Sequence, residues 1–285
     1  MPDVDSTIRW HTHSYPHPLA RWHTHPEAEI HLIRSGTGLA FVGDHVGRFA
    51  PGHLVLVGAH LPHNWISDLG PGEVIEDRDV VLQVHPDRMR ALARVAPEAS
   101  EAVRLLDDAA RGIEYSGPTA VAAAQALETV GRSTGLARLR ALLDLLDHLI
   151  HAPEADRRVL SGRPGSAGDA AAQDRIDLVL DHLTEHLTEQ LRLPEVAALV
   201  GMTPPAFSRF FRRAAGRGFA ETVRRLRVIR ACALLAETTM PVAEVCFAAG
   251  FGNLSNFNRQ FRAETGTTPR EYRRTARAGN GVAPS

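Results

Sequence analysis

The last third of this chain is written twice. Glu195-Val196-Ala197-x-x-x-Gly201 returns 49 residues later as Glu244-Val245-Cys246-x-x-x-Gly250. Phe207-x-Arg209-x-Phe211-Arg212-x-x-x-Gly216 returns 50 residues later as Phe257-x-Arg259-x-Phe261-Arg262-x-x-x-Gly266. Self-similarity at a fixed period means one supersecondary unit stacked on its copy. Each unit has the anatomy of a helix-turn-helix. A small residue, Ala197 or Cys246, lets two helices approach, and a glycine four positions on suits the turn between them. Thr203 followed by Pro204, and Asn253 in the second copy, read as helix N-caps. Phe207, Phe211, Phe257 and Phe261 recur at i, i+4 and face a core. The opposite faces carry Ser208, Arg209 and Arg212 in the first copy. In the second they carry Ser255, Asn256, Asn258, Arg259 and Arg262, opened by Asn253. A helix of this kind fits the major groove, where Arg, Asn and Ser reach base edges and phosphates of double-stranded DNA. These nine residues are the candidate contacts.

The charge agrees once it is divided along the chain. All 32 basic residues are arginine, against 33 acids, which leaves the 285-residue chain near neutral. Residues 201–277 hold 14 arginines and 5 acids, whereas residues 1–150 hold 13 and 19. A basic end on a neutral chain reads as a nucleic-acid-binding part joined to something else. Other classes are excluded. Hydrophobic content of 44% is that of a globular protein. Cys232 and Cys246 cannot build a disulfide framework, which places the chain in a reducing, cytoplasmic setting. The acidic start is no signal peptide. The longest uncharged run, 49–67, contains two prolines and three histidines and is no membrane span.

The tail resembles the AraC/XylS family of transcription regulators over roughly 100 residues. The carriers are Gly201-Met202-Thr203, Phe207-Ser208-Arg209-x-Phe211-Arg212, Arg227-x-x-x-Ala231-x-x-Leu234-Leu235, Gly250-Phe251-x-Asn253-x-Ser255-Asn256-Phe257, and Pro269-x-x-Tyr272-Arg273. The resemblance implies two helix-turn-helix units bridged by a long helix, here 219–237. One departure stands out. Pro205 occupies a position that often supplies a base contact in the family, so base reading by the first copy rests on Ser208 and Arg209.

The first 85 residues have a different texture. Short apolar alternations at 29–33, 39–42, 54–57 and 80–84 are separated by Gly and Pro turns, the pattern of a sandwich or small barrel. After Pro86 the segments 86–96, 98–112, 118–130 and 136–151 read as helices. The last carries Leu136, Leu139, Leu142, Leu143, Leu146, Leu149 and Ile150 as an apolar stripe, which can pack on its own barrel, form a homodimer seam, or do both. A Gly/Ser/Pro-rich stretch at 161–168 reads as linker. The expected fold is α+β in two domains. Residues 1–155 are a β-barrel domain with a helical dimerisation layer, 156–172 a linker, and 173–277 an all-α DNA-binding domain with two helix-turn-helix motifs.

Ten of the 15 histidines lie in the first 63 residues. His23-x-His25-x-x-x-Glu29, followed seven residues on by Gly36, and the later Pro51-Gly52 and His63-Asn64-Trp65, resemble the two cupin motifs. That resemblance implies a divalent transition metal (Zn, Fe, Ni or Mn) on His23, His25, Glu29 and His63. The chemistry agrees: imidazoles at i and i+2 of a strand face the same way, and three nitrogens with one carboxylate suit those ions. The alternative is that the histidines only satisfy hydrogen bonds in the barrel, with Glu29 as partner. His31 shares strand parity with Glu29. Arg9-Trp10-His11-Thr12-His13 repeats as Arg21-Trp22-His23-Thr24-His25, with His17 where the second copy has Glu29. It reads either as an arm over the barrel or as a plain strand duplication. A cupin-like sensor barrel is also the regular N-terminal half of the resembled family. The whole chain therefore reads as a regulator answering to a small-molecule or metal effector, with no catalytic residues. The alternatives are a cupin metalloenzyme with a helical appendage and a constitutive DNA-binding protein with a vestigial barrel.

Overall fold

The computed structural model describes residues 8–17, 20–69, 73–165 and 170–279. Its first half is built from β1 (Ile8–Tyr15), β2 (Ala28–Ile33), β3 (Gly38–Val42), β4 (His45–Phe49), β5 (Leu54–Val57), β6 (His63–Ser67) and β7 (Ile75–Val84). There follow α1 (Pro86–Val95), α2 (Ser100–Asp108), β8 (Ile113–Tyr115), α3 (Gly117–Arg132), α4 (Gly135–Ile150) and β9 (Arg157–Val159). One sheet runs in the order β1-β7-β2-β5-β8-β9 and a second in the order β4-β3-β6. His23 adds an isolated bridge to His63 at the edge of the second sheet.

The large sheet is buried on both faces, and strand parity says why. Ile30 and Leu32 on β2, Leu54 and Leu56 on β5, and Val80, Leu82 and Val84 on β7 join one core with α1–α4. The alternate residues Ile33, Val55 and Val57 join a second core against the small sheet with Ala40, Val42, Leu61 and Trp65. Glu29, His31, Asp79 and Gln83 have that same inward parity and line the barrel interior. A strand apolar on both faces shows little alternation, so β5 reads as a bare run, Leu-Val-Leu-Val.

Three expectations need correction. The 98–112 segment is helix only to Asp108; a 3-10 turn follows, then β8, which pairs with β5. The linker expected from 156 begins with β9, which pairs Arg157–Val159 with β8. Ser161, inside the Gly/Ser-rich stretch, is buried and its Oγ donates to Asp44 Oδ1 at 3.0 Å. Three-residue strands have no period to read, and only their partners define them. The part of the expected linker at 166–169 lies outside the described residues. On α4 the stripe divides. Leu142, Leu146 and Leu149 are buried against the barrel together with Leu145, while Leu136 is 85% and Leu143 41% exposed.

The second half contains α5 (Ala170–Glu185), α6 (Leu193–Leu199), α7 (Pro204–Ala214), α8 (Phe219–Glu237), α9 (Val242–Ala248), α10 (Leu254–Thr265) and α11 (Pro269–Gly279). Contacts divide the chain into compact units of residues 1–174 and 175–285. The repeat is structural. The turn bond from Met202 N to Ala197 O, 2.9 Å, is matched by that from Phe251 N to Cys246 O, 3.0 Å. The turn glycines, Gly201 and Gly250, have φ of +66° and +90°, which an L side chain rarely adopts. Phe207, Phe211 and Phe219 pack ring against ring in the first copy, and Phe257, Phe261 and Tyr272 in the second. Among the described residues no helix is long and apolar enough to cross a membrane.

Candidate metal centre and nucleic-acid interface

Four side chains meet inside the barrel. Among the described residues one ligand atom each from His23, His25, Glu29 and His63 lies within 4.8 Å of the others, and this is the one group of three or more potential ligands so closed. β2 supplies Glu29, β6 supplies His63, and the bridge between His23 and His63 brings the 21–25 segment alongside.

Each imidazole is pinned by its other nitrogen. His23 Nδ1 donates to Arg21 O at 2.6 Å, His25 Nδ1 to Glu27 O at 3.0 Å, and His63 Nδ1 to Leu61 O at 2.8 Å. A carbonyl only accepts, so all three rings carry a proton on Nδ1 and present Nε2 to the cluster. This is the outer support expected of imidazole ligands. His25 Nε2 is 3.0 Å from Glu29 Oε2, and His63 Nε2 is 3.7 Å from Glu29 Oε1. His63 Nε2 is buried without a hydrogen-bond partner.

The charges follow from burial and neighbours. Burial pushes the Glu29 carboxyl up, but His63, His25 and His31 overcome it and hold it well below the usual carboxylate range. Burial, helped by His23, pushes His63 well down, and burial also lowers His23. Burial opposes protonation of His25 too, but the Glu29 contact wins and raises it. The interior therefore holds a carboxylate, neutral imidazoles with inward lone pairs, and one ring drawn toward a proton. A cation fits this donor set: it would satisfy the stranded His63 lone pair and take the place of the His25 proton.

A second wall faces these residues, and of it only His31 was signalled in the sequence, by its strand parity with Glu29. His31 Nδ1 donates to Glu29 Oε1 at 3.2 Å, and its ring stacks on Trp65 with centroids 3.8 Å apart. Asp79, fully buried, accepts from His13 Nδ1 at 2.9 Å and from both Arg78 Nε and Nη2. Gln83 Nε2 donates to Glu29 Oε2 at 3.0 Å. The Glu76-Asp77-Arg78-Asp79 run reads as solvated, and only pairing on β7 turns Asp79 inward. The cavity these walls enclose has about 60 Å³ of free space, room for a few waters or a very small molecule.

In the second unit Ser208, Arg209, Arg212, Asn253, Ser255, Asn258, Arg259 and Arg262 are exposed and Asn256 is half-buried. Several of them have local duties. Ser208 Oγ donates to Pro204 O, and Asn253 Oδ1 caps α10 by accepting from Asn256 N at 2.8 Å. Asn256 Oδ1 accepts from Arg259 Nη2 at 2.9 Å and so orients that guanidinium. Thr203 stands at the N-cap of α7 but makes no side-chain cap bond. Not every arginine of the basic stretch faces outward for DNA. Arg227 donates to Leu187 O and Glu189 O, Arg230 to Ala248 O, and Arg273 to Leu235 O and Met240 O. A charge count cannot separate these helix fasteners from the recognition face.

Comparison with known proteins agrees with both halves. Residues 7–76 match the AraC-like ligand binding domain, and residues 196–275 match a helix-turn-helix domain family. The regulatory protein PocR of Salmonella typhimurium is 32% identical over 106 residues, 37% of this chain and 35% of that protein. The HTH-type transcriptional regulator GlxA of Rhizobium meliloti is 30% identical over 96 residues, 34% of this chain and 30% of that protein. The matches thus span about a third of the length of these relatives. The solved DNA-binding domain of AdpA, in complex with a target DNA, is 29% identical, covering 41% of this chain and all of that one with a TM-score of 0.37. With a ligand-binding domain of the AraC type followed by this helix-turn-helix domain, the chain belongs to the AraC family.

Proposed function

We propose that this protein is a sequence-specific regulator of transcription that binds double-stranded DNA through α7 and α10, and that its barrel holds a divalent transition metal as effector or as holder of a small effector. The observation that carries the metal reading is the pinning of three Nδ1–H groups, which leaves three Nε2 atoms and Glu29 directed at one another. Zn, Fe, Ni or Mn suits that donor set. Bound there, the ion would offer its remaining positions to an oxygen or nitrogen donor.

The DNA reading is supported by the two domain matches and by the exposed Arg, Asn and Ser faces of α7 and α10. Two such helices in one chain suit successive major grooves about 34 Å apart. Control requires that the effector bind two states of the chain with different affinity. A homodimer through the 136–151 helix fits the exposed Leu136 and Leu143 on α4. Leu143→Glu should then shift a dimer to monomer in sedimentation velocity, and an unchanged species would remove α4 from the interface.

The deciding experiment selects binding sites from random duplexes, then measures affinity for the selected site with metal-free and zinc-, nickel-, iron- or manganese-loaded protein. A selected site whose affinity changes with one metal supports the full reading. Absence of any preferred site would reject sequence-specific regulation. A preferred site indifferent to every metal would leave a DNA-binding protein with a different effector. Turnover is not part of this reading, because both matched domains are those of regulators.

A further inference from the structure

The His-rich repeat at the start of the chain has no part in the function proposed so far. Arg9-Trp10-His11-Thr12-His13-x-x-x-His17 has the spacing of Arg21-Trp22-His23-Thr24-His25-x-x-x-Glu29, with an imidazole at each of the three positions that carry inner-cluster ligands in the second copy. The copies differ in backbone, since His11 and His13 lie on β1 whereas His23 and His25 precede β2, but their tryptophans both turn away from the cavity. Trp10 faces away from the cavity and donates from Nε1 to Leu127 O on α3 at 2.9 Å. Trp22 also faces inward to protein, with its ring 6.4 Å from Phe41. His11, His13 and His17 of the first copy and His23 and Glu29 of the second line one cavity. The His11 and His13 rings are 4.7 Å apart and the His13 and His17 rings 4.6 Å apart, within the 4.3 to 5.5 Å range of the inner imidazoles.

We propose that His11, His13 and His17 form a second divalent transition-metal site on the outer wall of the same cavity. The inference rests on the reading of the cavity as a metal-binding chamber. Three nitrogen donors without a carboxylate select zinc, nickel or copper rather than magnesium or calcium. Asp79 supplies the supporting carboxylate: it accepts from His13 Nδ1 at 2.9 Å, is fixed by Arg78, and so commits His13 Nε2 to the ligand role. The two sites share this wall, since His31 lies between Asp79 and Glu29, 3.5 Å from the first and 3.2 Å from the second. The inner four ligand atoms are already closed to within 4.8 Å of one another, and the outer three are not. His11 and His17 are half-buried rings in contact with His13. The outer rings must shift to close on an ion, so the outer site binds it more weakly than the inner one.

The test is equilibrium dialysis of the stripped full-length chain against zinc, repeated with cobalt and read by its visible absorption. Three proteins are compared: wild type, His11→Gln with His17→Gln, and Glu29→Gln with His63→Gln. His13 is kept because its bond to Asp79 holds β1 to β7. Thermal melts in chelator confirm that each variant is folded, and the single His11→Gln replaces the arm pair if that pair is not. The expected result is that the arm variant loses the weaker ion of the wild type and keeps the tighter one, while the inner variant does the reverse. An arm variant that binds as many ions as wild type overturns the proposal. This holds for any ion on the His182–His186 pair of α5, rings 4.4 Å apart, which every variant retains. A single ion lost only from the inner variant also overturns it and leaves the inner metal reading standing. A single ion lost only from the arm variant supports it and removes the inner reading instead.

Discussion

His63 Nε2 points at Glu29 Oε1 from 3.7 Å, inside the barrel, with no hydrogen-bond partner of its own. A buried lone pair facing a carboxylate is unfavourable for both groups, and a cation between them relieves it. Zinc should therefore stabilise the wild-type chain. Ligand at about 1,000 times its Kd contributes about 4 kcal/mol, a rise of about 10 °C in the Tm of the first unit. In His63→Ala that rise should fall to the smaller one that the weaker ion on His11, His13 and His17 contributes. Differential scanning fluorimetry with zinc and with chelator checks this; an equal rise in both proteins would place the stabilising ion elsewhere.

Arg259 is held by Asn256 and is the base-reading candidate on α10. Arg259→Ala should weaken binding to a selected site by about 1–3 kcal/mol and relax preference at one position of that site. Asn256→Ala should reproduce part of the loss by freeing the guanidinium. Fluorescence anisotropy on matched and mismatched duplexes measures both, and unchanged discrimination would assign Arg259 to the backbone.

Arg212 and Arg262 extend from the last turns of α7 and α10, where phosphate contact is the simpler role. Substituting either by Ala should weaken binding to all duplexes alike. The slope of log K against log salt should fall in magnitude by about 0.9 for each. A loss confined to the selected site would mean a base contact.

Glu114 on β8 joins β9 to the residue that precedes β5. It meets His53 Nε2 at 3.2 Å and Arg158 Nη2 at 2.6 Å, and although burial opposes its ionisation, these partners bring its carboxyl down to about 2. A depressed carboxyl stabilises the fold above its unfolded value, near 4.5, and that contribution is lost as pH falls toward 2. Arg158 is largely exposed, so solvent trims the effect to about 1–3 kcal/mol. Glu114→Gln should be less stable than wild type by that amount at pH 7. In urea unfolding the gap should close between pH 4.5 and 2; a gap that persisted at pH 2 would point to packing.

Gly131 gives Trp10 its place. A Cβ at residue 131 would lie 2.2 Å from Trp10 Cε2. Gly131→Ala should destabilise the first unit by about 1–3 kcal/mol through overpacking, despite the better helix propensity of Ala. Adding Trp10→Ala should cost less in this background than in wild type, since it also relieves the clash. Additive losses in a double-mutant cycle would show that α3 and β1 accommodate the methyl separately.

What was legible in the residues was local. The duplicated Ala/Cys-x-x-x-Gly and Phe-x-Arg-x-Phe-Arg blocks specified two helix-turn-helix units, because helix period and turn chemistry act over a few residues. His23, His25 and Glu29 were visible for the same reason: strand and turn spacing ties them together, and His63 came with the second cupin-like motif. Tertiary structure alone decided the rest. Asp79 sits in a run of charge that reads as surface, and β7 turns it inward only by pairing with β1 and β2. β8 and β9 are too short to have a period and exist as strands through β5 and one another. Arg227, Arg230 and Arg273 look like DNA ligands in composition, yet they fasten backbone carbonyls some 20 to 40 residues away in the chain. Sequence periodicity reports which face of an element is apolar. Which buried polar group meets which is settled by pairing and packing across the chain, where every interior donor and acceptor must find a partner.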